Sequence, residues 1–173
     1  MRTQKTLSHL DEAGSARMVN IGSKPVQSRR AVAAARLVCR PATIRALRHS
    51  ALPKGDVLTV AQIAGIQAAK RTADLIPLCH PLPLCHVALT FRVKPRCVEL
   101  QCAAETSAQT GVEMEALTGA CVAALTLYDM CKAVDQTMRI EGVRLVQKTK
   151  SWARPMVPAD KTFVYGSSRC RPD

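Results

Sequence analysis

The longest helical pattern in the chain covers residues 111–134, GVEMEALTGACVAALTLYDMCKAV. Its apolar side chains recur at steps of three and four, and this spacing places them along one broad stripe of an α-helix. Thr110 lies three residues before Glu113, which predicts a capping box at the start of the helix. We therefore predict that this helix forms the centre of the core.

Two further helical patterns come earlier in the chain. Residues 41–48 predict a short helix, and Asp56 offers an N-cap for a second long helix that runs to about Leu75. Small residues are frequent in this second helix. We expect them to let another element approach its backbone closely.

Alternation of apolar and polar residues predicts the strands. Residues 86–94 and 97–105 alternate on either side of a Pro-Arg pair, which is typical of a β-hairpin with one buried face. Residues 138–147 supply another alternating segment, whereas residues 29–40 could be helix or strand on propensity alone. A single hairpin cannot cover two long helices, so we favour strand for residues 30–39.

The order of these elements predicts an α+β fold of the ferredoxin-like type. It would contain a four-stranded antiparallel sheet packed against helices, with an extra helix in the first crossover. We divide the chain into an N-terminal arm at residues 1–28, a single domain at 29–148 and a tail at 149–173. The arm and the tail lack a periodic apolar pattern, and we expect the tail to be disordered.

The charge and composition of the chain indicate which classes of molecule it binds. The formal net charge is +12 and aromatic residues make up 3% of the chain. Because the basic residues are scattered and few rings are available to stack on bases, we expect a small polyanionic substrate and no nucleic acid. No apolar run approaches the roughly 20 residues that span a bilayer, and no signal peptide is evident, so we expect no membrane partner.

The eight cysteines show no C-x-x-C spacing, and several lie within apolar segments. This pattern favours buried free thiols in a reducing compartment over a disulfide framework. Folding of a chain this long does not depend on disulfide cross-links.

Asp129 and Lys132 are the first candidate catalytic residues. They are three residues apart in the central helix, close enough to pair, and they lie in an otherwise apolar segment. A pair at the edge of buried surface would have pKa values suited to proton transfer. The alternative is an exposed ion pair, with Glu113 and Glu115 as ordinary first-turn acids favoured by the helix dipole.

The loop LCHPLPLCHV holds two Cys-His pairs, at Cys79-His80 and Cys85-His86. A zinc site is disfavoured, because three prolines force an extended loop that does not suit four converging ligands, and we predict no metal site. Two interpretations remain open. The loop is a Pro-rich connector, or His80 on this rigid loop is a substrate ligand or proton shuttle.

Two long blocks resemble a known family. Residues 54–82, KGDVLTVAQIAGIQAAKRTADLIPLCHPL, and residues 110–134, TGVEMEALTGACVAALTLYDMCKAV, are similar to the two signature regions of the MoaC family of molybdenum cofactor biosynthesis. Over fifty residues match, and a looser resemblance extends from about Met18 to Lys148. The ferredoxin-like fold of that family agrees with the element order above.

The resemblance implies a lyase that converts a cyclised GTP, 3′,8-cyclo-7,8-dihydro-GTP, to cyclic pyranopterin monophosphate with release of pyrophosphate. It implies a homo-oligomer, a hexamer built from dimers, with the pocket between two subunits. No cofactor is certain, although Mg²⁺ is compatible with pyrophosphate chemistry. The implied catalytic residues are Asp129 and Lys132, and the implied substrate-binding residues are Leu78, Cys79, His80, Glu113, Met114, Glu115, Lys54, Arg29 (with Arg30 as its competitor) and Lys148.

Two segments depart from the family pattern. Asn20 replaces an acidic residue in MVNI, and the sequence KTKSWARPMVP replaces a glycine-rich loop after Lys148. The second departure raises an alternative, a non-catalytic paralogue or splice form that assembles with active subunits. Bacterial members of the family are cytoplasmic and eukaryotic members can be mitochondrial, so the resemblance implies one of these two compartments.

Overall fold

Four strands and four helices make up the regular structure of the described residues, 14–49 and 52–152, in a computed structural model. They follow the order expected of a ferredoxin-like α+β fold. The elements are β1 (Gln27–Val38), α1 (Pro41–Arg48), α2 (Val57–Lys70), α3 (Thr72–Leu75), β2 (Leu84–Val93), β3 (Cys97–Ala108), α4 (Glu113–Cys131) and β4 (Arg139–Ser151).

The sheet has the strand order β2-β3-β1-β4, and each pair of neighbours is antiparallel. This confirms the predicted fold. The ambiguous segment is strand β1, and residues 31–35 are all buried in it. Side chains of the neighbouring strands flank those of β1 on both sides and α4 packs against the strand, which accounts for this burial. The first crossover contains the extra helix α1 and also the single turn α3, since the predicted second helix ends at Lys70 and a turn at Arg71 interrupts it.

Helix α4 packs on one face of the sheet and crosses α2 at two glycines. A Cβ atom at Gly65 would lie 2.9 Å from the backbone oxygen of Gly119 and 2.6 Å from Leu89 Cδ2. A Cβ at Gly119 would lie 2.6 Å from Cys102 Sγ. The prediction that small residues allow close approach is therefore confirmed, because no larger side chain fits at either position.

The capping box predicted for α4 is wrong. The helix begins at Glu113 with Val112 as its N-cap, and no side chain caps it. The carboxylate of Glu113 instead pairs with Lys148 of β4. At the start of α2 the predicted cap is confirmed, since Asp56 Oδ1 accepts a hydrogen bond from the Thr59 backbone N–H at 3.1 Å.

Asp135, in the loop after α4, connects three parts of the fold. Its side chain is fully buried and accepts hydrogen bonds from the Arg40 backbone N–H (2.8 Å), Thr43 Oγ1 (2.9 Å) and both the backbone N–H and Oγ1 of Thr137 (3.0 and 2.8 Å). Burial alone would raise the pKa of this carboxyl, but the hydrogen bonds lower it to about 2. The carboxylate fixes the start of α1 against the entry to β4.

Strand β4 is an edge strand with two irregularities. Its register against β1 shifts at Val146, which is an extra residue between the pairs Ala33↔Leu145 and Val32↔Gln147. A second shift lies near Gly142, whose φ is +65°. A bulge of one residue reverses which face the following side chains occupy.

The bulge places the basic residues of β4 on both faces of the sheet. Arg144 lies on the face that the helices leave open, beside Arg36 and Gln101, whereas Lys148 lies on the helix side, where it contacts Glu113. The strand continues to Ser151, three residues beyond the predicted domain boundary at Lys148. The remainder of the predicted tail, residues 153–173, and the first 13 residues of the predicted arm lie outside the described residues.

The seven cysteines within the described residues are free, as predicted, but only Cys39, Cys102 and Cys131 are fully buried. No helix in the same part of the chain is long and apolar enough to cross a lipid bilayer.

Candidate active site

A cavity of about 350 Å³ opens at the N-terminal end of α4, and we call it the carboxylate cavity. The loop before β2 forms one wall and the first turn of α4 forms another. Residues of the N-terminal arm close a third side, where the Val19 carbonyl lies 2.8 Å from His80 Nε2. The six predicted site residues that line this cavity are Leu78, Cys79, His80, Glu113, Met114 and Glu115.

Glu115 is the residue of this cavity most affected by burial. Its side chain belongs to a residue only 4% exposed, and Oε2 has no hydrogen-bond partner among the described residues. Burial, and to a smaller extent the charge of Glu113, raise the pKa of Glu115. An unpaired buried carboxyl oxygen is costly, so a ligand that donates an N–H group to it would be stabilised.

Cys79 lines the same cavity as Glu115. Burial and then the charge of Glu115 raise its pKa, so the group is a neutral thiol near neutral pH. It is therefore suited to contact a ligand rather than to attack one.

A second cavity of about 520 Å³ adjoins the first, and we call it the basic cavity. The two share Lys24, Thr110, Gly111 and Glu113, so they lie side by side, and we call the two together the groove. Arg29 and Lys148, both predicted site residues, line the basic cavity. Arg30 does not line it and bonds Glu105 Oε1 at 3.0 Å, as expected for neighbours on a strand that lie on opposite faces. This geometry favours Arg29 over its competitor.

Asp129, Lys132 and Lys54 form a separate cluster at the C-terminal end of α4, which we call the lysine cluster. Lys132 Nζ and Lys54 Nζ each lie 2.7 Å from a carboxylate oxygen of Asp129. Hydrogen bonds from Lys132 and then from Lys54 lower the pKa of Asp129 to about 2. The predicted pairing is therefore confirmed.

The expectation that this pair lies at the edge of buried surface is wrong. The side chains of Asp129 and Lys132 are 51% and 56% exposed. The hydrogen bond and charge of Asp129 raise the pKa of Lys132 rather than lower it. Exposure to water and a close carboxylate both favour the ammonium form, so a depressed lysine pKa would require a further change in surroundings.

The lysine cluster and the carboxylate cavity lie at opposite ends of one helix. Glu113 and Asp129 are sixteen residues apart in α4, which corresponds to about 24 Å along the axis. The structure therefore brings together eight of the predicted residues in one groove and gathers Lys54, Asp129 and Lys132 at a different place.

Two lysines of the groove, Lys24 and Lys150, were missed by sequence reasoning. The signal for Lys150 was present, because it follows Lys148 by two residues and would share its face if the last strand were extended. Lys24 lies in a segment without periodicity, so nothing local indicated it.

Within the described ranges, no group of three or more His, Cys, Asp or Glu side chains could hold a metal ion. Cys79 and His80 instead line the carboxylate cavity together with Glu115.

Comparison with known proteins identifies the family. A sequence model of the MoaC family matches residues 18–151. A cyclic pyranopterin monophosphate synthase from Chloroflexus aggregans is 56% identical over 144 residues, which cover 82% of this chain and 87% of that protein.

Proteins of the same name from other bacteria are similar over most of the chain. The one from Thermomicrobium roseum is 54% identical over 144 residues, 82% of this chain and 87% of the relative. The one from Nostoc sp. is 51% identical over 150 residues, 86% and 89% of the two chains. Matches of this extent include both ends of α4 and the strands that carry Arg29 and Lys148, and the chain therefore belongs to the MoaC family.

Proposed function

We propose that this chain is a cyclic pyranopterin monophosphate synthase, a lyase that converts 3′,8-cyclo-7,8-dihydro-GTP to cyclic pyranopterin monophosphate and pyrophosphate in molybdenum cofactor biosynthesis. The observation that carries the proposal is the groove of two adjoining cavities, one acidic and apolar and the other basic. A guanine-derived ring system needs hydrogen-bond acceptors and a triphosphate needs cations. The groove offers acceptors in one cavity and cations in the next. The similar proteins are named cyclic pyranopterin monophosphate synthase.

The carboxylate cavity supports binding of the ring system. Glu115 has a free buried oxygen for a ring N–H group, and Met114 offers apolar surface beside it. His80 Nε2–H donates a hydrogen bond to the Val19 carbonyl, which holds the imidazole against the cavity wall.

The basic cavity supports the phosphate chemistry. A cyclic monophosphate forms from a triphosphate when a hydroxyl of the same molecule attacks the α-phosphorus and pyrophosphate leaves. Negative charge then grows on the leaving group, and Arg29 and Lys148, which line this cavity, would stabilise it. Mg²⁺ could bind with the phosphates, so activity should be compared with and without a chelator.

The lysine cluster would carry out the proton transfers of the reaction. Lys132 and Lys54 are ammonium groups joined through one carboxylate, so the cluster can donate a proton and take it back. Since it lies about 24 Å from Glu113 along α4, a substrate in the groove of one subunit cannot reach the lysine cluster of the same subunit. We therefore propose that a second copy of the chain completes the site.

The exposed stripe of α4 supports this arrangement. Met114, Thr118, Cys121, Leu125 and Asp129 follow one another at steps of three and four, and Leu125 is 57% exposed. Cys121 is at the middle of this stripe. Two antiparallel α4 helices related by a twofold axis near Cys121 would place Met114 beside Asp129 of the partner subunit. Three such dimers would give the hexamer that the family resemblance implies.

A turnover assay tests the function directly. Purified chain incubated with the cyclised triphosphate should release pyrophosphate and form the cyclic monophosphate. Assembly into oligomers without any turnover would overturn the proposal in favour of the non-catalytic paralogue or splice form.

Mixing two inactive variants tests the shared site. His80→Ala removes a groove residue and Lys132→Ala removes a lysine-cluster residue, so each homo-oligomer should be inactive. In mixed dimers one of the two sites contains neither substitution, so refolding the variants together should restore up to about a quarter of wild-type activity on statistical grounds. No recovery on mixing, with mixed oligomers verified by mass spectrometry, would show that each site is built within one subunit.

A further inference from the structure

We infer that Lys150, together with Lys24, forms a diphosphate-binding subsite at the outer end of the basic cavity. The subsite would hold the distal phosphates of the substrate and the pyrophosphate product, and in this respect it rests on the proposed function. Neither lysine belongs to the residues that the family resemblance implies.

The extended end of β4 places Lys150 in the cavity. Lys148 and Lys150 are two residues apart in a strand, so both side chains lie on the helix side of the sheet. Arg29 is directly opposite Lys150 in the antiparallel register. Three cationic side chains from two neighbouring strands therefore converge on one wall.

The basic side chains of this cavity differ in whether they already have a hydrogen-bond or ion-pair partner. The Arg29 guanidinium already donates to the Ala108 carbonyl (2.9 Å), the Gln109 carbonyl (3.1 Å) and Gln27 Oε1 (3.1 Å). Lys148 is paired with Glu113. By contrast, the side chains of Lys24 and Lys150 have no ion-pair or hydrogen-bond partner among the described residues. These two lysines keep their full capacity to bind an anion.

The charge of the cavity also fits a polyanion. Four basic side chains and one carboxylate line it, which leaves a formal charge of +3. Charge-assisted bonds to phosphate oxygens are stronger than those between neutral groups, and several ammonium groups around one cavity favour a ligand with more than one negative charge. Diphosphate meets this requirement better than a carboxylate or a single phosphate does.

The position of the subsite fits one continuous ligand. Lys24 lines both cavities, so a molecule with its ring system near Glu115 could extend past Lys24 and end at Lys150. In this chain the segment KTKSW stands where the resemblance leads one to expect a glycine-rich loop. A lysine side chain would thus supply the contact that backbone N–H groups of a glycine-rich loop supply to phosphates.

Pyrophosphate binding to the full-length chain tests the inference without turnover. Titration calorimetry with inorganic pyrophosphate would compare wild type with Lys150→Gln, Lys24→Gln and Lys150→Arg. The matched control is Arg144→Gln, which removes one positive charge from the opposite face of the same strand. Loss of one charge-assisted contact predicts a Kd about tenfold higher for each Gln variant, with Lys150→Arg and Arg144→Gln within about twofold of wild type. Equal Kd values for Lys150→Gln and Arg144→Gln would overturn the inference.

Turnover kinetics then separate this inference from the proposed function. Lys150→Gln should raise KM for the cyclised triphosphate and weaken inhibition by pyrophosphate, while Arg144→Gln should change neither. If wild type binds pyrophosphate through Lys150 but forms no product, the proposed function fails and the subsite stands. If wild type is active and Lys150→Gln has unchanged KM and unchanged pyrophosphate inhibition, the subsite fails and the proposed function stands.

Discussion

Asp129 accepts a hydrogen bond at 2.7 Å from each of two lysines, and these contacts determine which protons the lysine cluster can move. With its pKa lowered to about 2, Asp129 is a carboxylate under any physiological condition. Lys132, whose pKa is raised, is an ammonium. In this arrangement the lysine is therefore a proton donor, and it can become a base only after it has given up its proton to a substrate.

Replacing Lys132 should abolish product formation. We expect Lys132→Ala to lower kcat by at least about 100-fold, within the range of a lost general acid or base, and Asp129→Ala to lower it less, because Asp129 orients the lysine. Pyrophosphate release under single-turnover conditions measures the effect. Lys94→Ala, an exposed lysine in the turn between β2 and β3, is the control. A kcat for Lys132→Ala within threefold of wild type would place the proton transfer elsewhere.

Sequence spacing could predict contacts only between residues that are close in the chain. Asp129 and Lys132 are separated by three positions in a helix, so their pairing follows from helix geometry alone. Lys54 reaches the same carboxylate from 75 residues earlier in the chain, and no local pattern connects the two. Its position could be anticipated only through the family resemblance. The capping box failed for the same reason, since the Glu113 side chain pairs with Lys148, a residue distant in the sequence.

Among the secondary-structure elements, the interiors were predictable, as were both ends of α1 and the start of α2, but other ends were not. The apolar spacing of α4 and the alternation of β2 and β3 are set by burial against neighbouring elements, which sequence periodicity reflects directly. The end of β4 instead depends on pairing of Lys150 with Arg29 and of Ser151 with Ser28. Polar residues at an edge strand have no apolar alternation to indicate that pairing, so the predicted strand ended too early.

The crossing of α2 and α4 tolerates no added methyl group. Alanine has a higher helix propensity than glycine by about 1 kcal/mol, but a Cβ at Gly65 would lie 2.9 Å from a backbone oxygen that cannot move independently. We expect Gly65→Ala to destabilise the fold by about 1–3 kcal/mol because steric overlap outweighs propensity. Urea unfolding measures this. Gln67→Ala, at an exposed position of the same helix, should change stability by less than about 0.5 kcal/mol.

The contact between α1 and the loop after α4 should weaken in acid. Asp135 has a pKa of about 2 in the fold and about 3.9 in an unfolded chain, so its stabilisation is present above about pH 4 and is lost as pH falls towards 2. Between pH 5 and pH 2, wild type should lose about 2 kcal/mol more unfolding free energy than Asp135→Asn, which cannot titrate. Urea melts at several pH values test this, and parallel curves for the two proteins would contradict it.

Residues 14–49 and 52–152, which the structure describes, leave the central helix uncovered along one side. Leu125 and Met114 are 57% and 38% exposed on α4, although α4 packs against both α2 and the sheet on its other sides. Such apolar exposure supports the proposed partner subunit at that face. Assembly and catalysis should therefore depend on the same surface.

An acidic residue at Leu125 should separate the subunits without unfolding them. Leu125 is exposed in the single subunit, so Leu125→Asp creates no buried charge there, but it would bury a carboxylate in an α4–α4 interface. We expect a smaller particle by analytical ultracentrifugation, an unchanged far-ultraviolet circular dichroism spectrum and no detectable turnover. Leu125→Met is the matched control and should retain assembly and activity. An active oligomer carrying Leu125→Asp would show that the subunits associate through another face.

Because Val146 is an extra residue in β4, the number of residues in this strand decides which face of the sheet its later side chains occupy, whatever most of those side chains are. Arg144 and Lys148 occupy opposite faces only because one residue between them is unpaired. Deleting Val146 would have one of two results. Either Lys148 and Lys150 would both move to the face away from the groove, or every later residue of β4 would pair with a different residue of β1. Substitutions on the open face of this strand should consequently accumulate among related sequences, whereas insertions and deletions between Arg144 and Lys148 should be rare.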